Sequence, residues 1–375
     1  MRPIRYKYDP SSKVLGAPPM HEFFSFMSDA SGRTDELEHT MVLNPMELDV
    51  PWPTSFPVAM QSKHWETAEM AARELIDKIT QSKAGDRGVL PEEMEKLITS
   101  EATAQMEELL DTSVSITVNV WSWASAKRIA LIVQACLFLF LLEDIVETGS
   151  GAGKGNTILD DASYDLCYGT MKGSQTRTNR IFAEYAKSVV DQEPELGLEL
   201  LKAILDFVKL TRTRPPLTTK LESFKEGLEY RLMDGGHSFA KAAIKFACDL
   251  KLSNIELESL ATLDELCGFH ASMTNDLYSF EKEYRDAKEK KAALVNGVST
   301  LQDLLGITPA SAKTMLCLYL RDIEGQIHEE YKRLIKERTL NNSQIRYARA
   351  LIEGLAGNIF HLATTYRYAN AVNVQ

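Results

Sequence analysis

The chain has 375 residues, 44% hydrophobic and 25% charged, which is ordinary for a globular protein with a large core. A formal charge of −11 excludes a broad basic surface for nucleic acid or acidic membranes, although a few local cations or bound metals can still favour an anionic ligand. Five scattered cysteines without a C-x-x-C pair argue against a zinc cluster or disulfide framework and point to a reducing compartment.

Residues 1–60 are rich in Pro, Ser, Met and Asp and hold no sustained period, so they are expected to form an irregular arm over a helical body. Met1–Tyr8 lacks the apolar core of a signal peptide, and the expected location is cytoplasmic. From Trp65 onward the apolar spacing is helical. It covers Trp65–Lys83, Pro91–Leu110, Ser122–Glu147, Gln175–Gln192, Leu217–Met233, Ser253–Arg285, Pro309–Lys336 and Asn342–Tyr368. Asp35-Glu-Leu-Glu and Ser253-Asn-Ile-Glu have capping-box spacing, and Pro309 suits a first helical turn. Alternating strand patterns are absent. The expectation is a single all-α domain over residues 61–375, a helical bundle around a central cavity.

The most apolar run, Ile129–Leu142, is too short to span a bilayer and reads as a buried helix, so no stable membrane insertion is expected. Thr148–Asn156 is Gly-rich and reads as a connector. It is not a phosphate loop: Thr148 stands where the first glycine is needed, and Gly155 follows Lys154 where Ser or Thr is needed. Asp160-Asp161 and Asp165 read as a helix start. Gly235-Gly236 interrupts a helical pattern and marks a bend.

Two polar clusters stand out. Glu143, Asp144 and Glu147 close the apolar helix, where three carboxylates are unfavourable at the negative end of the dipole unless solvated or bound to a cation. Asn275, Ser279 and Glu283 are spaced i, i+4, i+8, which lines an amide, a hydroxyl and a carboxylate along one helix face. Such a set suits a hard cation such as Mg²⁺.

Together these clusters resemble the two metal-binding motifs of class I terpene synthases, especially the fungal type. Glu143-Asp144-x-x-Glu147 is similar to the aspartate-rich motif, with Glu143 where the family usually has Asp. Asn275-Asp-x-x-Ser279-x-x-x-Glu283 matches the second motif at every ligand position. Arg231, Asp234 and Gly235 resemble the diphosphate-sensor arginine, linker aspartate and effector glycine. Lys282 and the pair Arg367-Tyr368 stand where the family contacts diphosphate. The family's W-x-x-G-N-x-x-W pattern appears as Gly354-Leu-Ala-Gly357-Asn358-Ile-Phe-His361, with both tryptophans replaced.

The resemblance implies Mg²⁺-dependent ionisation of farnesyl or geranylgeranyl diphosphate, then cyclisation of the carbocation in a dry pocket, by a monomer or homodimer. It implies three Mg²⁺ ions: two at Asp144 with Glu143 or Glu147, and one at Asn275, Ser279 and Glu283. Arg231, Lys282, Arg367 and Tyr368 would grip diphosphate. Cys136, Leu139 and Phe140 on one helix and Gly268 and Ala271 on another are expected to line the pocket, with His361 as a candidate proton acceptor. Taken singly, Arg231 would be a surface ion pair with Glu229 or Asp234. The alternatives are an isoprenyl diphosphate synthase, which would need a second aspartate-rich motif, and a non-catalytic helical scaffold.

Overall fold

The computed structural model describes residues 1–11, 23–29, 31, 33–80, 100–147, 177–213, 221–234, 236–290 and 294–370, with side chains at 80, 100–105, 142–147, 177–180, 211–213, 234 and 290 left aside. Two strands come first, β1 (Thr40–Leu43) and β2 (Ala59–Ser62). The helices are α1 (Trp65–Thr80), α2 (Ser100–Val120), α3 (Ala126–Glu147), α4 (Arg177–Gln192), α5 (Pro194–Thr213), α6 (Phe224–Asp234) and α7 (His237–Cys248). They continue as α8 (Asn254–Glu258), α9 (Ala261–Lys290), α10 (Gly297–Leu305), α11 (Pro309–Glu337), α12 (Asn342–Thr364) and α13 (Tyr366–Ala369).

The α3 helix is apolar on every side, so it must sit centrally. Ile129, Ile132, Val133 and Leu137 are fully buried, and α3 packs on α1, α2, α4, α5 and α7. The α9 helix packs on α11 and α12, and α12 packs closely on α2. That approach needs Gly357, because a Cβ there would lie 2.0 Å from the Asn119 carbonyl oxygen. The Ser253 capping box forms as expected, and Thr308 caps the α11 start, with Pro309 in its first turn.

Several boundaries differ from expectation. Helices α5, α7 and α10 were not anticipated, and the segment after Leu110 continues as helix to Val120. The stretch beginning at Asp35 forms turns, not a helix: Glu36 accepts from Arg33 Nε at 2.7 Å. Asn342–Tyr368 is not one helix, because Thr365 is extended (φ −93°, ψ 146°) and separates α12 from α13. The arm also carries a small antiparallel sheet in which Thr40 faces Ser62 and Leu43 faces Ala59. All four β2 residues are buried, so no polar alternation marks the strand.

The arm is tied to the body by buried polar contacts. Arg33 Nη2 donates to Glu353 of α12 at 2.5 Å, and Trp123 donates to the other Glu353 oxygen at 2.8 Å. Glu324 of α11 accepts from Thr54 Oγ1 at 2.5 Å and from the Ser55 amide at 2.7 Å. Nearer the N-terminus, the Tyr8 amide donates to the Ala363 carbonyl at 2.9 Å.

Candidate active site

A cavity of about 320 Å³ opens between α2, α3, α5, α6, α7, α9, α12 and α13. Its size falls within the range of small-molecule sites. The spacing of α9 explains one wall. Gly268, Ala271, Asn275, Ser279 and Glu283 recur every three or four residues, so one helix face supplies an apolar lower half and a polar upper half.

The polar half is partly preset. Glu283 Oε2 accepts from Asn296 Nδ2 at 3.0 Å, and that same amide reaches the Asp276 carbonyl at 2.9 Å. Asn275 Nδ2 points to the Tyr368 hydroxyl at 3.4 Å, leaving the amide oxygen as the acceptor side. Ser279 Oγ is buried at the wall and has no hydrogen-bond partner among the described residues. An orphaned hydroxyl between an amide and a carboxylate fits a hard cation with oxygen ligands.

Cations approach the same end from three elements. Arg231 is not a surface residue. It extends from α6 to the fully buried Asp276 of α9, with Nη2–Oδ1 at 2.5 Å and Nε–Oδ2 at 3.2 Å. The Gly297 amide donates to the same Oδ2 at 2.6 Å. Burial pushes the Asp276 carboxyl up, and the guanidinium and amide pull against it. Lys282 Nζ lies 2.9 Å from Asp286 one turn along α9. Arg367 Nη1 lies 3.6 Å from Glu108 of α2, with its guanidinium 5.8 Å from the centre of the Phe140 ring.

Thr365 places Arg367 and Tyr368 in the site by breaking α12. Asp111 of α2 holds that break: its Oδ2 accepts from Thr365 Oγ1 and from the Tyr366 amide, each at 3.2 Å. Its Oδ1 accepts from Arg2 Nη2 at 2.5 Å, so the N-terminus is fastened to the same carboxylate. Burial raises the Tyr368 phenol above its usual value, so it stays a neutral donor.

Below the polar end the wall is mostly apolar. Cys136, Leu139 and Phe140 come from α3, Gly268 and Ala271 from α9, and His361 from α12; all six line the cavity. His361 is 1% exposed, and burial lowers its imidazole to about 3, so it is neutral at pH 7. Its Nδ1 has no partner among the described residues. Trp121 also lines the cavity, whereas Phe138 packs on Phe182 and Tyr185.

Glu143, Asp144 and Glu147 fall in the last two turns of α3, just beyond Phe140; their side chains, and that of Asp234, lie outside the described residues. Gly235, the Gly-rich loop and Asp160, Asp161 and Asp165 lie wholly outside them. Gly236 has a positive φ of 69° where α6 gives way to α7, as a bend there requires. Sequence reasoning missed Asp276, although an acidic residue beside the buried Leu277 and Tyr278 was a readable signal. It also missed Asn296, His237 and Lys241, whose placement depends on helices that were not anticipated.

Comparison with known proteins bears on the family and the fold. Residues 134–324 match the family model "Terpene synthase family 2, C-terminal metal binding". The chain is 33% identical to Terpene cyclase 6 of Gibberella fujikuroi, over 98% of this chain and 95% of that protein. It is 31% identical to Terpene cyclase aneC of Aspergillus aculeatus, over 98% and 82% respectively. The fold is similar to that of the crystal structure of aristolochene synthase from Penicillium roqueforti, with a TM-score of 0.66 at 20% identity, covering 83% of this chain and 98% of that one. Neither chain elongation nor a helical scaffold finds support among these relatives, and no described helix is long and apolar enough to cross a membrane. An all-α bundle with cations gathered at one end of a mostly apolar cavity, and these relatives, lead to one conclusion: the chain belongs to the terpene synthase family and is a class I terpene cyclase, a lyase acting on isoprenyl diphosphates.

Proposed function

We propose that the enzyme converts farnesyl or geranylgeranyl diphosphate into a cyclic hydrocarbon, releasing inorganic diphosphate. The observation that carries this is the division of one cavity. Asn275, Ser279, Lys282, Glu283, Arg231 and Arg367 gather at one end, and mostly apolar side chains line the rest. One end suits an anionic leaving group and the other a hydrocarbon.

The residues suit Mg²⁺, with Asn275, Ser279 and Glu283 holding one ion and Asp144, with Glu143 or Glu147, holding two more. When bound, the ions supply positive charge at the oxygens where negative charge develops. Arg231, Lys282 and Arg367 donate charge-assisted hydrogen bonds to the leaving diphosphate, and Tyr368 adds a hydroxyl. The allylic C–O bond breaks, its electron pair stays on diphosphate, and the prenyl cation remains in the apolar half. Asp276 and Glu108 hold two of these arginines in place beforehand, which limits reorganisation during the step. Asp234 and Gly235, between Arg231 and His237, couple diphosphate binding to the bend between α6 and α7. Phe140 offers an aromatic face beside the site, and the apolar wall keeps water from the cation. Residues 61–375 form the catalytic domain and residues 1–60 an arm over it; the enzyme works in the cytoplasm as a monomer or homodimer.

The test is incubation with each prenyl diphosphate, with and without Mg²⁺, followed by diphosphate assay and gas chromatography–mass spectrometry. Metal-dependent release together with a cyclic hydrocarbon is expected. Absence of release from every chain length would sink the proposal.

A further inference from the structure

One polar cluster serves neither the diphosphate end nor the core. His237 and Lys241 lie one turn apart on α7, and both line the cavity beside Phe239, Ala240 and Ile244. Asp264, in the first turn of α9, stands behind them. Its Oδ2 accepts from Lys241 Nζ at 2.7 Å and lies 3.4 Å from His237 Nε2. Asp264 Oδ1 and His237 Nε2 are both sealed from solvent without a hydrogen-bond partner among the described residues. Burial pushes the Asp264 carboxyl up, but His237 and Lys241 outweigh it and hold the group below its ordinary value.

An ionised carboxylate beside a hydrocarbon-binding wall is costly and needs compensation. Lys241 provides it, so the Asp264–Lys241 pair is neutral. Gly268 leaves room for two neighbours: a Cβ there would overlap Leu232 Cδ1 and would lie 3.0 Å from His237 Cε1 and 3.1 Å from its Nε2. Gly268 precedes Asn275 by seven residues, about 10 Å along α9 at the helical rise. The imidazole therefore stands well away from the diphosphate end, beside the folded hydrocarbon. His361, the other imidazole at the wall, has no hydrogen-bonded carboxylate among the described residues, and its burial disfavours the imidazolium.

We propose that His237, backed by Asp264, receives the proton that ends the cyclisation. This rests on the function proposed above. In the step, a C–H bond next to the cationic carbon breaks, and its electron pair becomes the new C=C bond. The proton passes to an imidazole nitrogen of His237, and the nearby Asp264 carboxylate, shared with Lys241, stabilises the imidazolium. The proton leaves to solvent when the alkene is released. The long His237–Asp264 contact of the resting site tightens as the ring becomes charged. His237 is the catalytic residue of this step, and Asp264 is a positioning residue.

The test compares wild type, His237→Gln and Asp264→Asn with the prenyl diphosphate that wild type turns over, reading diphosphate release and product distribution separately. Release should stay within about threefold of wild type, because ionisation uses the other end of the cavity. The native alkene should fall about a hundredfold relative to other quenched products, the lower end of what a positioned acid–base group contributes. An unchanged product mixture in both variants overturns the proposal. So does loss of release with product proportions intact, which indicates a structural role. If His237→Gln does not fold, the nearly isosteric Asp264→Asn must still shift the products, or the proposal fails. A wild type that releases no diphosphate from any prenyl substrate overturns the proposed function itself, whereas wild-type release with unaltered variant products overturns only the role of His237.

Discussion

Replacing Asp276 by Asn removes one charge from the most enclosed ion pair of the site and almost nothing from its volume. The Asp276 side chain is 0% exposed and that of Arg231 is 13%. Three donors converge on the carboxylate: Arg231 Nε, Arg231 Nη2 and the Gly297 amide. An amide has a single acceptor oxygen, so Asn turns an NH₂ group towards at least one of these donors. Breaking a buried pair from one side costs about 3–5 kcal/mol, chiefly because the remaining charge is left in a poor solvent. Urea unfolding followed by circular dichroism reads this loss directly. Adding Arg231→Met should return most of the stability, since neutralising both partners of a buried pair is often nearly neutral. Activity should not return, because the guanidinium proposed to meet diphosphate is gone. An Asp276→Asn variant within about 1 kcal/mol of wild type, the range of an ordinary surface change, would refute the pairing as the support of Arg231. A double variant less stable than the single one would refute it equally.

Two further outcomes follow from the neighbouring residues. His361 titrates at about 3 in the folded protein against 6.5 ordinarily, with Asp111 opposing the burial and Arg2 and Arg367 adding to it. The unfolded chain then binds the extra proton between those values, so stability is intact above 6.5 and falls as pH drops towards 3. The loss reaches at most about 5 kcal/mol. His361→Leu should flatten that part of the pH–stability curve relative to wild type, and parallel curves would contradict the assignment. Asp111→Asn loosens the Thr365 break without touching the cavity, so KM for the prenyl diphosphate should rise about tenfold, equivalent to one charge-assisted hydrogen bond, with kcat changing less. A steady-state assay with unchanged KM would show that Asp111 does not position Arg367 and Tyr368.

The part of the site written in local spacing was legible. Asn275, Ser279 and Glu283 share a face because they share one helix, and any helix over those residues brings them together. Five of the six proposed wall residues follow from the same periodicity on α3 and α9, and His361 of α12 follows from its place in the family's pattern. What escaped the sequence was set by distant partners. Arg231 has acidic neighbours at Glu229 and Asp234, yet the structure pairs it with Asp276, 45 positions away. Arg367-Tyr368 looks like the end of a long helix, but the turn that aims it depends on Asp111, 255 residues from Tyr366. Helix α10 begins at Gly297, a poor helix former, and relies on the Asn296 side chain as its cap. Helix α7 follows a bend, so its start could not be read from a continuing period. Missing α7 also hid the His237–Lys241 pair.

The α9 helix acts as a ruler for the reaction. On the proposed function, its polar half, from Asn275 to Glu283, faces the leaving group on which negative charge develops. Asp264 lies eleven residues before Asn275, about 16 Å along the axis at 1.5 Å per residue. Between these ends, Gly268 and Ala271 are small, which leaves room for the hydrocarbon and lets His237 approach the helix. On the proposed reading, Asp264 and Glu283, towards opposite ends of one helix, separate the creation of the cation from its removal. If the only base were at the diphosphate end, each intermediate would be exposed to deprotonation as soon as it formed. A base two to three turns away receives a proton only from a hydrocarbon whose charge has migrated down the cavity. On the proposed reading, the separation of Asn275 from His237 bears on how far cyclisation proceeds, and a methyl group added at Gly268 would press on both Leu232 and His237.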